Sequence, residues 1–84
     1  MSNLETPEEA LEHLEEALYQ LFALGGQDLY ERIDERLMTS AYRFCQRNQL
    51  QTARLLGISR NIVRARLIAH GALIGARRRT ESSG

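Results

Sequence analysis

The stretch from Asn48 to Leu67 constrains the fold more than any other part of the chain. It reads as two short helices separated by a sharp turn at Gly57. Arg60, Arg64 and Arg66 lie on the second helix, and no acidic residue occurs in the stretch. A tight turn suits a glycine, which takes positive φ without steric penalty. The first helix has to let the second cross it closely, which suits the small Ala53. The second helix is then left to offer cations along its exposed side. A helix-turn-helix that lays its second helix in the major groove of duplex DNA needs these features together.

The charge distribution points the same way. Formal net charge is zero, which alone would argue against nucleic acid. The sum hides an asymmetry. Residues 1–42 hold ten acidic residues against Arg32 and Arg36, whereas residues 43–80 hold nine arginines and no acidic residue. A basic footprint confined to one half of a domain marks a phosphate-binding surface. Every basic residue is Arg, whose planar fork of donors suits phosphate oxygens and guanine edges. A GC-rich genome would also shift Lys to Arg.

Eighty-four residues make one domain, and a chain of that length buries only roughly 60% of its unfolded surface. Its core is therefore small. Cys45 is the only cysteine, so no internal disulfide supplements that core. A lone helical cysteine fits a reducing cytoplasm. No apolar run approaches the ~18 residues of a membrane span, and no signal-peptide pattern opens the chain.

Thr6-Pro7-Glu8-Glu9 is a strong helix start, with Thr6 at the N-cap, Pro7 at the first helical position and Glu9 closing a capping box. Leu11, Leu14, Leu18, Leu21 and Phe22 follow with the spacing of one apolar stripe, and Gly25-Gly26 ends the helix. A first helix is expected over about residues 7–24. A second should start at Asp28 and run to about Arg47. At 100° per residue, its Leu29, Tyr30, Ile33, Leu37, Met38, Ala41, Phe44 and Cys45 occupy an arc of about 180°, more than one neighbour can cover. The first helix and the motif are expected on one side and a second copy of the chain on the other. Asp34 falls inside that arc, where it is either paired with an arginine or marks a wet gap. A third helix is expected over residues 50–56 and a fourth over residues 60–69, capped by Ser59 and stopped near Gly71. Leu73 and Ile74 should tuck against the bundle, with a disordered tail beyond.

From Arg47 to Leu73 the chain resembles the Fis family, which comprises the nucleoid protein Fis and the C-terminal DNA-binding domains of sigma-54-dependent enhancer-binding activators. The resemblance rests on Asn48, Thr52-Ala53, Arg54, Leu55-Leu56-Gly57-Ile58, Ser59, Arg60-Asn61, Ile62-Val63, Arg64-Ala65-Arg66-Leu67, Gly71 and Leu73. The preceding helix, with Glu31, Leu37, Ala41 and Phe44, is similar to the one that leads into the family's motif. Four positions depart from the pattern. Thr52 stands where the family usually has Ala, Arg47 where Gly is common, and Ile62-Val63 where Thr-Leu is usual. Ile62 therefore cannot make the phosphate contact that the Thr hydroxyl would imply. The family's activators also carry an ATPase domain, and this chain has no G-x-x-x-x-G-K-[ST] phosphate loop. The resemblance thus implies the DNA-binding end of a longer activator, or a Fis-like protein, in a bacterial cytoplasm and associated with the nucleoid.

Individual roles follow from helical geometry. Val63 and Leu67 share the inward face of the fourth helix, so Asn61 and Ala65 face the groove, flanked by Arg64 and Ile62. Arg60, in the first turn, is the candidate guanine reader. Asn61 is an adenine reader or phosphate anchor, Arg64 a base or phosphate contact, and Ala65 permits close approach to a thymine methyl. Ser59 completes that edge. Gln49, Thr52, Arg54 and Arg66 are either phosphate contacts or ordinary surface. Arg77-Arg78-Arg79 either follows the DNA backbone or serves solubility alone. One Cys with His13 and His70 at no ligand spacing makes a poor metal site, so no metal or cofactor is expected. No nucleophile-base constellation stands out, so no enzyme is expected.

The expected architecture is all-α: four helices forming one Fis-like domain over residues 1–84. Residues 7–47 carry the dimerisation helices, 48–73 the helix-turn-helix, and 74–84 a flexible basic tail. Leu29, Ile33, Leu37, Met38, Ala41 and Cys45 are the expected dimer contacts. The expected function is sequence-specific binding of double-stranded DNA as a homodimeric transcriptional regulator. The alternative is a helical protein-interaction or oligomerisation module whose acidic first half docks a basic partner.

Overall fold

The computed structural model describes residues 5–73. Within them the chain forms four helices, α1 (Pro7–Leu24), α2 (Leu29–Phe44), α3 (Gln49–Leu56) and α4 (Arg60–Ala69), and no strand. The expected Ile74 contact and the Arg77–Arg79 arm fall outside the described residues.

Local chemistry accounts for most helix ends. Thr6 Oγ1 accepts from the Glu9 backbone N–H at 3.1 Å, and Glu9 Oε1 accepts from the Thr6 N–H at 3.3 Å. This reciprocal box satisfies two donors that the first turn would otherwise leave unpaired. Asn48 Oδ1 accepts from Gln51 N–H at 2.9 Å, and Ser59 Oγ from Ile62 N–H at 3.1 Å, so α3 and α4 are each capped by the side chain that precedes them. Asp28 differs. It occupies the N-cap of α2 in the left-handed region and makes no capping side-chain bond.

α2 ends at Phe44, earlier than the hydrophobic pattern suggests. Gln46 (φ 57°) and Arg47 (φ 65°) both take the left-handed conformation, and Arg47 N–H donates to the Tyr42 carbonyl at 2.8 Å. The chain therefore reverses where apolar periodicity alone would have let the helix run on. The glycine common at residue 47 in Fis-like sequences fits this backbone better than arginine does.

The core lies among α2, α3 and α4. Met38, Ala53, Val63 and Leu67 are buried together, with Tyr42, Leu56, Ile58 and Leu73 packed around them. Val63 and Leu67 are completely shielded from solvent, and burying such a side chain contributes about 1.5–3 kcal/mol. Between α3 and α4, Gly57 (φ 75°, ψ 30°) donates its N–H to the Ala53 carbonyl at 2.8 Å. This left-handed cap makes the sharp turn, and Ala53, 4% exposed, lets α4 cross α3 closely.

α1 corrects the expected packing. It contacts none of the other three helices and buries no residue of its own. Its stripe stays in the open, with Leu11, Leu14 and Phe22 each more than half exposed. The Cα radius of gyration, 15.4 Å, exceeds the ~12 Å of a compact chain of this length, as a helix standing off from the rest requires. The wide apolar arc of α2 is consequently covered on one side only, by α3 and α4. Met38 and Ala41, expected at a dimer contact, are already buried inside the chain, at 5% and 7% exposure. Cys45 is half-buried at the end of that stripe. Leu29 and Ile33 are half-buried, whereas Tyr30, Leu37 and Phe44 form an exposed ridge one heptad apart.

Candidate nucleic-acid interface

Four of the nine expected contact residues are exposed on α4. With Val63 and Leu67 directed inward, the helical period turns Asn61 and Ala65 outward, with Arg64 flanking them; Arg60, in the first turn on the side of Val63, is exposed as well. Ile62 lies beside them at 49% exposure. Ser59 Oγ is occupied as the acceptor of the cap, which leaves its hydroxyl hydrogen free to donate outward. No acidic residue occurs on α3, α4 or the turn between them. Arg54 on α3 is exposed and Gln49 half-buried. Exposed guanidinium groups and an amide can bond phosphate oxygens and base edges.

Thr52 departs from its expected position. It is fully buried, and its hydroxyl donates to the Asn48 carbonyl one turn back at 2.8 Å. A side chain enclosed in this way reaches no phosphate. Periodicity could not reveal this, because Thr52 adjoins Ala53 and the two share the α3 face that meets the rest of the fold.

Arg66 is also placed differently from the other arginines. Its Nε donates to Asp34 Oδ2 at 2.9 Å and its Nη2 to Glu31 Oε1 at 2.8 Å. The same Asp34 oxygen accepts from His70 Nε2 at 2.7 Å. An ionised carboxylate only accepts, so His70 carries its proton on Nε2. Of the two arrangements open to Asp34 from sequence, the arginine pair is the one observed. Burial works to raise the Asp34 pKa, but the hydrogen bonds from His70 and Arg66, with their charges, outweigh it and hold the carboxyl below its ordinary range. In return, the bond to Asp34 raises the pKa of Arg66. Glu31 and Asp34 stand three residues apart on α2, and His70, the C-cap of α4, follows Arg66 by four, so each pair shares one helix face.

Donor atoms of Glu31, Asp34 and His70 lie within 4.8 Å of one another. The Arg66 guanidinium already occupies both carboxylates there, and a metal cation would have to displace it. The partners of Asp34 lie 32 and 36 positions along the chain, beyond the reach of any local pattern.

Comparison with known proteins finds relatives that share most of this chain. It is 52% identical over 66 residues, 79% of its length, to the sigma54-dependent transcriptional activator SfnR of Pseudomonas putida. It is 49% identical over 70 residues, 82% of its length, to the sigma54-dependent transcriptional regulator SfnR of Pseudomonas fluorescens (strain Pf0-1). The matched parts amount to 18% and 19% of those proteins, so the chain spans less than one fifth of either relative. No family model and no solved structure matches it. Among the described residues no helix is long and apolar enough to cross a membrane. The homologues of this chain are thus sigma54-dependent transcriptional regulators, and its all-α fold is consistent with a Fis-like helix-turn-helix domain.

Proposed function

We propose that the chain is the DNA-binding segment of a sigma-54-type regulator, acting as a homodimer on double-stranded DNA. The carrying observation is the exposed basic surface of α4, where Asn61 and Ala65 lie opposite the buried Val63 and Leu67, Arg64 flanks them and Arg60 is exposed in the first turn. The N-terminal turn of a recognition helix approaches base edges most closely, which gives Arg60 the base-reading role. Arg64 and Arg54 contact phosphates, and Asn61 reads a base or anchors a phosphate. An ATPase domain belongs elsewhere in the longer parent chain, as the small share of the relatives' length suggests.

The uncovered ridge of Tyr30, Leu37 and Phe44, with the open stripe of α1, supports dimerisation through α1 and α2. A two-fold pair would set two recognition helices one turn of DNA apart, about 34–36 Å, on a pseudo-palindromic site.

Duplex titrations at several salt concentrations test the DNA-binding reading. One duplex is selected by the chain from a randomised pool and the other has random sequence. Affinity for both should fall steeply with salt as counterions return to the phosphates. Arg60→Ala should lower binding to the selected duplex by about 1–3 kcal/mol more than binding to the random one. Equal losses on both would remove Arg60 from base reading. Affinity that ignores salt would reject DNA binding altogether.

A further inference from the structure

We propose that Asp34 is a positioning residue for the recognition helix, clamping α4 to α2 through Arg66 and His70, so that Arg66 serves DNA recognition from inside the protein. This inference rests on the DNA-binding reading and names what orients its site.

Four side chains make the clamp. Asp34 Oδ2 accepts from Arg66 Nε at 2.9 Å and from His70 Nε2 at 2.7 Å, while Glu31 Oε1 accepts from Arg66 Nη2 at 2.8 Å. The Asp34 and His70 side chains are only 14% and 7% exposed, and that of Arg66 31%. The other arginines of the motif, Arg54, Arg60 and Arg64, are exposed. Two parallel donors from one planar guanidinium fix direction as well as distance, and the His70 bond one turn further on adds a second point of attachment. Together with the Val63–Leu67 packing, these bonds limit the rotation of α4 about its own axis. That rotation decides whether Arg60 and Asn61 meet base edges.

Base readout and phosphate attraction respond differently to a small misalignment. A bidentate bond to a base tolerates an error of roughly 0.5 Å. Attraction to phosphates depends on how many charges reach the backbone, which the slope of affinity against salt reports. Loosening the clamp should therefore cost selectivity while leaving the salt slope unchanged. The clamp also joins α4 to the helix that carries the Tyr30–Leu37–Phe44 ridge, so in a dimer it would transmit the set of the dimer helices to both recognition helices.

The test compares Asp34→Asn, Arg66→Gln and the double variant on the selected and random duplexes across a salt series. Folding at the assay temperature is checked by far-UV circular dichroism. Each single variant should lose selectivity by about tenfold, the equivalent of one misaligned base contact, with the salt slope of the unsubstituted chain. The double variant should lose no more than the worse single. His70→Gln keeps a donor near the position of Nε2 and should retain selectivity that His70→Leu loses. This pair decides the question if Asp34→Asn does not fold. Equal selectivity in the two His70 variants would overturn the clamp. So would unchanged selectivity in Asp34→Asn, or an Arg66→Gln salt slope shallower by about one, as for a direct phosphate contact. Absence of salt-dependent binding by the unsubstituted chain would instead bring down the DNA-binding reading beneath it.

Discussion

Thr52 illustrates how one residue's burial decides between two roles. Its hydroxyl could have served a phosphate, yet it bonds the carbonyl of Asn48 at 2.8 Å within a fully buried site. A buried hydroxyl with a local partner contributes a net ~0.5–1.5 kcal/mol, and Ala recovers part of that through better helix propensity. Thr52→Ala should consequently cost about 1 kcal/mol or less in urea unfolding and leave affinity for both selected and random duplexes unchanged. A loss of affinity without a loss of stability would return Thr52 to the DNA surface. Arg66 raises the same issue in charged form: its place on a basic helix suggests a phosphate ligand, but two carboxylates of α2 hold it at 2.8 and 2.9 Å.

The turn between α2 and α3 carries the clearest element-level conflict between sequence and backbone. Gln46 and Arg47 are consecutive left-handed residues, each disfavoured by about 1–2 kcal/mol for a side chain with a Cβ. Glycine at residue 47 would relieve one of them, though its freedom in the unfolded chain costs roughly 0.5–1 kcal/mol in return. Arg47→Gly should therefore raise stability by about 0.5 kcal/mol, read as a higher urea midpoint at an unchanged slope. A lower midpoint would mean that residue 47 does not hold the left-handed conformation in solution. Gly57 presents no such conflict, because the residue present already suits its φ of 75°.

Across the whole molecule, apolar exposure is the dominant feature. Leu11, Leu14 and Phe22 on α1 and Tyr30, Leu37 and Phe44 on α2 range from 49% to 77% exposed. Large apolar side chains exposed in this number along two helix faces favour an interaction site over a soluble monomer's surface. Sedimentation equilibrium at micromolar concentration should return twice the chain mass. Leu37→Asp should shift that mass toward the monomer, since an unpaired charge in the contact is costly. Because Leu37 lies outside the buried cluster of Met38, Ala53, Val63 and Leu67, the variant should keep α2–α4 folded, with a thermal transition that persists. A monomeric unsubstituted chain would refute the dimer, and complete unfolding of Leu37→Asp would show that the motif cannot stand without it.

The local features were legible in the sequence because their causes lie within a few residues of one another. The Thr6–Glu9 box, the Ser59 cap, the left-handed Gly57 and the inward pair Val63 and Leu67 each follow from neighbours on the same or adjoining turn. The outward pair Asn61 and Ala65, with Arg64 beside them, follows from that inward pair by helical period alone. Tertiary structure decided what depends on residues far apart in the chain. Periodicity marked Asp34 as a charge inside an apolar arc, but only the crossing of α2 and α4 brings Arg66 and His70 to it. The same arc looked uniform in sequence, yet α3 and α4 bury Met38 and Ala41 and leave Leu37 in the open. The position of α1 follows the same logic. An amphipathic pattern states that a helix has a face to bury, and carries no information about which surface will cover it.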